Sequence, residues 1–200
     1  MHTELKVMKR HVIVIFMAVI ITIYACGCTS VPVNQSAVGG PPETTTFNLT
    51  LSSNAFSPGG TIPDMYSCKG QNISPPLSWQ NVPVGSKSLA MIVVDTDAPL
   101  SGGYVHWIVY NIPVNSTGIP ADQPRVAVLP NGSGQGLNTA GGVGYTGPCP
   151  PQGSPHHYHF RLYALDTSLD LQGSVNRSVL EGALQGHILQ STELVGLFTR

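Results

Sequence analysis

The sequence predicts a mainly β, sandwich-like domain with one or two small peripheral helices. Three observations point there. The 22 glycines and 17 prolines fall mostly between short apolar runs, too much punctuation for a helical bundle. Those runs are strand-length and either alternate or stay continuously apolar. Only one stretch spaces its apolar residues as a helix does.

In chain order, Phe47–Leu51 alternates (Phe-Asn-Leu-Thr-Leu) and reads as a first strand, broken by Ser57-Pro58-Gly59-Gly60. Leu89–Val94 is continuously apolar, as in a strand covered on both faces. Tyr104–Ile112 is another strand, stopped by Pro113, and Tyr158–Leu165 is a fourth, with aromatic and apolar alternation. Asn131–Gly147 is Gly-rich with little apolar content and is expected to be an exposed loop. Val175–Leu189 is the helix candidate, carrying Val179, Leu180, Ala183, Leu184, His187 and Ile188 at helical spacing despite Gly182 and Gly186. There is no internal repeat and no second domain.

The N-terminus reads as a targeting segment. Lys6, Lys9, Arg10 and His11 precede an apolar run, Val12–Ala25, that is short for a span needing about 20 residues. It closes on Ala25-Cys26-Gly27-Cys28-Thr29-Ser30, which looks like a lipobox, with Cys28 the preferred acylated residue and Cys26 the alternative. An uncleaved anchor helix is the rival reading; either way the rest of the chain lies outside the cytoplasm. Residues 1–28 are thus assigned to signal and lipobox, 29–46 to a flexible Pro/Gly/Ser/Thr/Asn tether and 47–200 to the domain. Six Asn-x-Ser/Thr triplets begin at Asn34, Asn48, Asn72, Asn115, Asn131 and Asn176; they suit an extracellular surface without establishing modification. Cys68 and Cys149 remain as a candidate disulfide in an oxidising compartment, although sequence alone does not set their distance.

With a net charge of −1 and only 10% charged residues, the chain lacks the basic clusters that nucleic acid demands. Polar chemistry gathers instead in three segments set against apolar strands. Asp95 and Asp97 close the Leu89–Val94 strand and point to one side if the chain is extended; turn chemistry is the plain alternative. His106 and Trp107 follow Gly102-Gly103 at a strand entrance, where a His lines a pocket mouth or is simply a satisfied core residue. The segment Gly147-Pro148-Cys149-Pro150-Pro151 leads through a rigid loop to His156, His157, Tyr158 and His159. Alternation places His156, Tyr158 and Phe160 on one face and His157, His159 and Arg161 on the other, which argues against one metal ion held by three histidines. No Gly-x-Ser-x-Gly elbow, phosphate-cradling loop with Lys or Cys-x-x-Cys pair is present.

Taken together, Asp95-Thr96-Asp97-Ala98-Pro99, then Gly103-x-x-His106-Trp107, then Gly147-Pro148 through Pro150-Pro151 to His156-x-Tyr158 resembles the phosphatidylethanolamine-binding protein (Raf kinase inhibitor-like) family, in its bacterial and archaeal branch. Asn72-Ile73-Ser74-Pro75-Pro76-Leu77-Ser78-Trp79, Tyr163-Ala164-Leu165-Asp166 and Gly186-His187-Ile188-Leu189 extend the likeness over Phe47–Arg200. The resemblance implies the family's β-sandwich around a central sheet and a small anion-accepting pocket holding Asp95, Asp97, His106, His156 and Tyr158, with Pro150 and Pro151 as a wall and Trp107 supporting His106. Imidazole and phenol groups donate to phosphoryl oxygens, while the aspartates orient the imidazoles. Departures are Thr96 where Pro is usual, His157 where Arg is usual, and Phe198 where some relatives have Tyr.

The expected function is therefore a membrane-tethered binding protein for a phosphoryl or other anionic small molecule, such as a phospholipid head group. No cofactor, metal site or turnover is expected. The alternatives are an inhibitor of an envelope protease or other protein partner, with Asn131–Gly147 as its surface, and a weak acid–base or metal-assisted hydrolase.

Overall fold

A computed structural model describes residues 47–200. The signal segment, Cys26, Cys28, the tether and the Asn34 triplet lie outside the described residues. Among the described residues, no helix is long and apolar enough to cross a membrane.

Among the described residues the architecture is mainly β, with two antiparallel sheets and one α-helix. In chain order the strands are β1 (Thr50–Ser52), β2 (Leu77–Gln80), β3 (Ser88–Asp95), β4 (Tyr104–Ile112), β5 (Gly118–Ile119), β6 (Gly134–Gln135), β7 (His156–Leu165) and β8 (Ile188–Phe198). A short 3₁₀ turn, Asp64–Tyr66, follows β1, and α1 (Arg177–Leu184) lies between β7 and β8. One sheet has the order β1-β2-β5 and the other β6-β4-β3-β7-β8.

The uninterrupted apolar run of β3 has its reason in this arrangement. Every residue of β3 is buried, because the central sheet is covered on both faces. Met91, Val93, Trp107, Phe160 and Leu162 point towards the small sheet, where Leu51, Leu77 and Trp79 meet them. Ala90, Ile92, Val94 and Ile108 point the other way, under Leu180 and Leu184 of α1.

Three expectations change. The helix is shorter than the apolar spacing predicts: Asn176 caps it by accepting from the Val179 N–H at 3.0 Å, and it ends at Leu184. Gly186 then takes φ 79°, and Ile188 and Leu189 open β8 rather than extend the helix. The Gly-rich Asn131–Gly147 segment is not an exposed loop. Ser133–Gly136 is buried and supplies β6, with Gln135 opposite Val109 and Gly134 opposite Tyr110 on β4. Its glycines mark crowding, since a Cβ on Gly136 would fall 2.4 Å from the Val175 carbonyl oxygen. The first strand starts at Thr50 rather than Phe47.

Candidate functional site

The pocket forms where β3, β4 and β7 reach the same end of the central sheet. In the β3–β7 ladder Asp95 stands opposite Tyr158, so both project towards the small-sheet face, and His156 follows two residues before Tyr158 on that face. β4 adds His106 through a bulge: Val93 pairs with Trp107 and Val94 with Val105, leaving His106 unpaired between them. Such an extra residue re-aims a side chain at the end of a ladder. The result is a cavity of about 380 Å³, walled by Asp95, His106 and His156 on one side and by Pro150, Pro151 and Leu100 elsewhere.

Each polar group is held differently. His106 is almost fully buried, and its Nδ1 lies 2.7 Å from the Thr146 carbonyl oxygen. A carbonyl only accepts, so Nδ1 carries the proton and Nε2 presents a lone pair. Burial pushes the His106 pKa down to about 4, against the weaker pull of the Thr146 carbonyl and the Asp95 charge. His156 instead donates from Nδ1 to Asp95 Oδ2 at 2.7 Å, which fixes its ring. The other Asp95 oxygen accepts from the backbone N–H groups of Asp97 at 2.9 Å and Ala98 at 3.2 Å. Asp95 thus closes the turn and orients the histidine at once.

Tyr158 sits edge-on to His106, with ring centroids 5.1 Å apart, and its buried hydroxyl takes no protein hydrogen bond. Burial, reinforced by the Asp95 charge, raises its pKa, so the hydroxyl stays protonated. Trp107 supports the site as a buttress: its indole N–H donates to Gln135 Oε1 at 2.6 Å, and its ring meets Tyr145 at 5.6 Å. Tyr145 immediately precedes Thr146, the residue that anchors His106.

The wall is tied down from outside. Cys68 and Cys149 form a disulfide bridging a sequence separation of 81, and Cys149 itself lines the cavity. The Cys68 N–H also donates to the Pro148 carbonyl at 3.0 Å. Gly147 lies so close to the 3₁₀ turn that an added Cβ would fall 2.4 Å from the Tyr66 carbonyl oxygen.

Two of the expected pocket residues lie outside the lining: Tyr158, which packs edge-on against His106, and Asp97. The Asp97 carboxylate is exposed and accepts from both the ring Nδ1 and the backbone N–H of His157, each at 2.7 Å. The His157 ring and backbone hydrogen bonds hold its pKa below the usual carboxylate value. The same-side expectation assumed an extended chain, whereas the chain bends at Asp95. Tyr104, Thr146, Gly147, Leu100 and Cys149 line the cavity although motif reasoning did not assign them to it. Phe198 is buried opposite His156 on β8, outside the lining. No Lys or Arg lines the cavity. Among the described residues, no group of three or more His, Cys, Asp or Glu side chains is arranged to hold a metal ion.

Known proteins share this architecture. A family model described as phosphatidylethanolamine-binding protein matches residues 52–199. A UPF0098 protein of Methanothermobacter thermautotrophicus is 52% identical over 153 residues, covering 76% of this chain and 99% of that protein. The crystal structure of a phosphatidylethanolamine-binding protein homolog from Chlamydia trachomatis is 43% identical, with a TM-score of 0.69 over 76% of this chain and 98% of that one. Escherichia coli YbcL is 34% identical, with a TM-score of 0.72 over 77% of this chain and 99% of its own. With the fold, the family model and near-full-length relatives in agreement, this chain belongs to the phosphatidylethanolamine-binding protein family.

Proposed function

We propose that this chain is a membrane-tethered, extracytoplasmic binding protein for small ligands carrying a phosphoryl or comparable anionic group, phospholipid head groups among them. The observation that carries this reading is the presence of two differently prepared imidazoles at one small cavity. His106 offers a bare Nε2 acceptor, while His156, braced by Asp95, is a charge-assisted donor once its Nε2 is protonated. A phosphate monoester that keeps one P–OH matches both, donating to His106 and accepting from His156. The absence of Lys and Arg from the lining favours this singly charged form over the dianion. The cavity volume suits a head-group-sized ligand.

Calorimetric titration of residues 46–200 with phosphate, phosphoethanolamine and glycerophosphoethanolamine tests the reading. Saturable binding that His156→Ala abolishes is the expected result; for phosphate and phosphoethanolamine it strengthens as pH falls through about 6, where each gains its second proton, whereas the diester glycerophosphoethanolamine, which only accepts from His156, shows no such gain. A folded protein that binds none of the three sinks it. The Asp95–His156 pair is also the geometry of a general base, so phosphoester turnover measured alongside distinguishes a hydrolase from a binder.

A further inference from the structure

The central sheet runs from pole to pole. At one end stand Asp95, His106 and His156, with Phe198 opposite His156; at the other, Leu165 pairs with Ile188. The ten residues of β7 separate these ends by about 30 Å at 3.3 Å per residue.

The pole away from the pocket carries apolar side chains in water. Val84 is fully exposed at the turn between β2 and β3, and Phe47, Ile188 and Leu189 are exposed as well. Leu189 owes its place to a ladder irregularity: Ala164 pairs with Gln190 and Leu165 with Ile188, so Leu189 has no partner. Its Cδ1 reaches within 4.0 Å of where a Cβ on Gly85 would stand, beside Val84. The chain just after Phe47 is tied to the same end. The Leu49 N–H donates to Gln190 Oε1 at 2.8 Å, and the Asn81 amide donates to the Asn48 carbonyl at 3.2 Å. The ladder ends with Thr50 opposite Gln80, so the residues before Thr50 and those after Gln80, which lead to Val84, leave the small sheet at the same end. Exposed Lys87 borders the patch, its backbone N–H bonded to the Leu165 carbonyl at 2.7 Å.

We propose that Phe47, Val84, Ile188 and Leu189 seat the domain on the bilayer that holds its anchor, with the pocket facing outward. The inference rests on the lipid-anchored reading above. What identifies the occupant is connectivity: residues 29–46 lead from the lipobox to Phe47, itself a member of the patch, so the chain enters the domain through this surface. Apolar side chains bordered by a lysine suit the interface between acyl chains and head groups. The ligand then comes from the aqueous space or from a facing surface, not from the leaflet to which the protein is fixed.

Both tryptophans are buried, so an added one reports its own surroundings. Full-length Val84→Trp and Gln152→Trp proteins, each reconstituted by its own anchor into phosphatidylcholine vesicles containing brominated lipid, test the orientation. The expected result is fluorescence quenching several-fold stronger for Val84→Trp, lost when Phe47→Glu and Leu189→Glu are added. Equal quenching at both positions on vesicle-bound protein overturns the proposal. So does a concentration-dependent dimer that shields the Val84→Trp reporter and dissociates in the glutamate variant, which would make a second copy the occupant. Failure of the full chain to float with vesicles at all overturns the anchored reading itself, a separate outcome.

Discussion

His106 and His156 face one cavity but are held by different partners, a backbone carbonyl and a carboxylate. Burial holds His106 neutral down to about pH 4, whereas an unfolded imidazole takes its proton near 6.5. The unfolded chain therefore binds a proton that the folded one refuses, and stability falls as pH drops from about 6.5 to about 4, by roughly 3 kcal/mol from this group. His106→Asn keeps a donor for the Thr146 carbonyl but cannot titrate. Denaturant unfolding at pH 7 and pH 4.5 is expected to show a stability difference about 2–3 kcal/mol smaller in that variant. Asp95→Asn preserves the turn, because its amide oxygen still accepts from Asp97 and Ala98, but it removes the carboxylate from His156. Affinity for phosphoethanolamine is expected to fall about tenfold or more, the worth of a charge-assisted hydrogen bond, with the melting temperature little changed. The order of motifs made Asp95, His106, His156 and Tyr158 readable as neighbours. Asp97 was misplaced because alternation says nothing about where an extended chain turns. Thr146 was invisible for another reason: it acts through its carbonyl, which every residue has.

Among the elements, those buried on two faces were the legible ones. β3 and β4 appear nearly as their apolar runs predict, because a covered strand has little freedom in composition. β8 was missed: its first half, Ile188–Glu193, is largely exposed, and its polar residues look like a loop. The Gly-rich segment deceived in the opposite sense, since glycine is required both where a chain bends in water and where two backbones nearly touch. Gly136→Ala is expected to cost about 1–3 kcal/mol through overpacking against Val175 and Ile108, read as a lowered denaturation midpoint. Paired Cys68→Ser and Cys149→Ser substitutions are expected to cost about 2–4 kcal/mol. They should also weaken ligand binding, since Cys149 is part of the wall; an unchanged titration isotherm would show the bridge to be only a staple of the fold.

Across the whole molecule, one central sheet supplies both cores, one shared with the small sheet and one roofed by α1. Among the described residues, those that build these cores run from Leu49 to Phe198. Residues 47–200 alone are therefore expected to unfold in a single cooperative transition, seen as coincident tryptophan fluorescence and circular dichroism curves. Sandwich architecture was legible from punctuation and apolar runs, but the order β6-β4-β3-β7-β8 was not, because strand neighbours are chosen by packing between distant segments. The bridge between Cys68 and Cys149 has a consequence for the life history of the chain. Such bonds form and last in oxidising compartments, whereas a cytoplasm keeps thiols reduced. A copy whose thiols are still reduced lacks the clasp that ties the Cys149 wall of the cavity to Cys68. Under the proposed extracytoplasmic address, the wall of the cavity is clasped only after export.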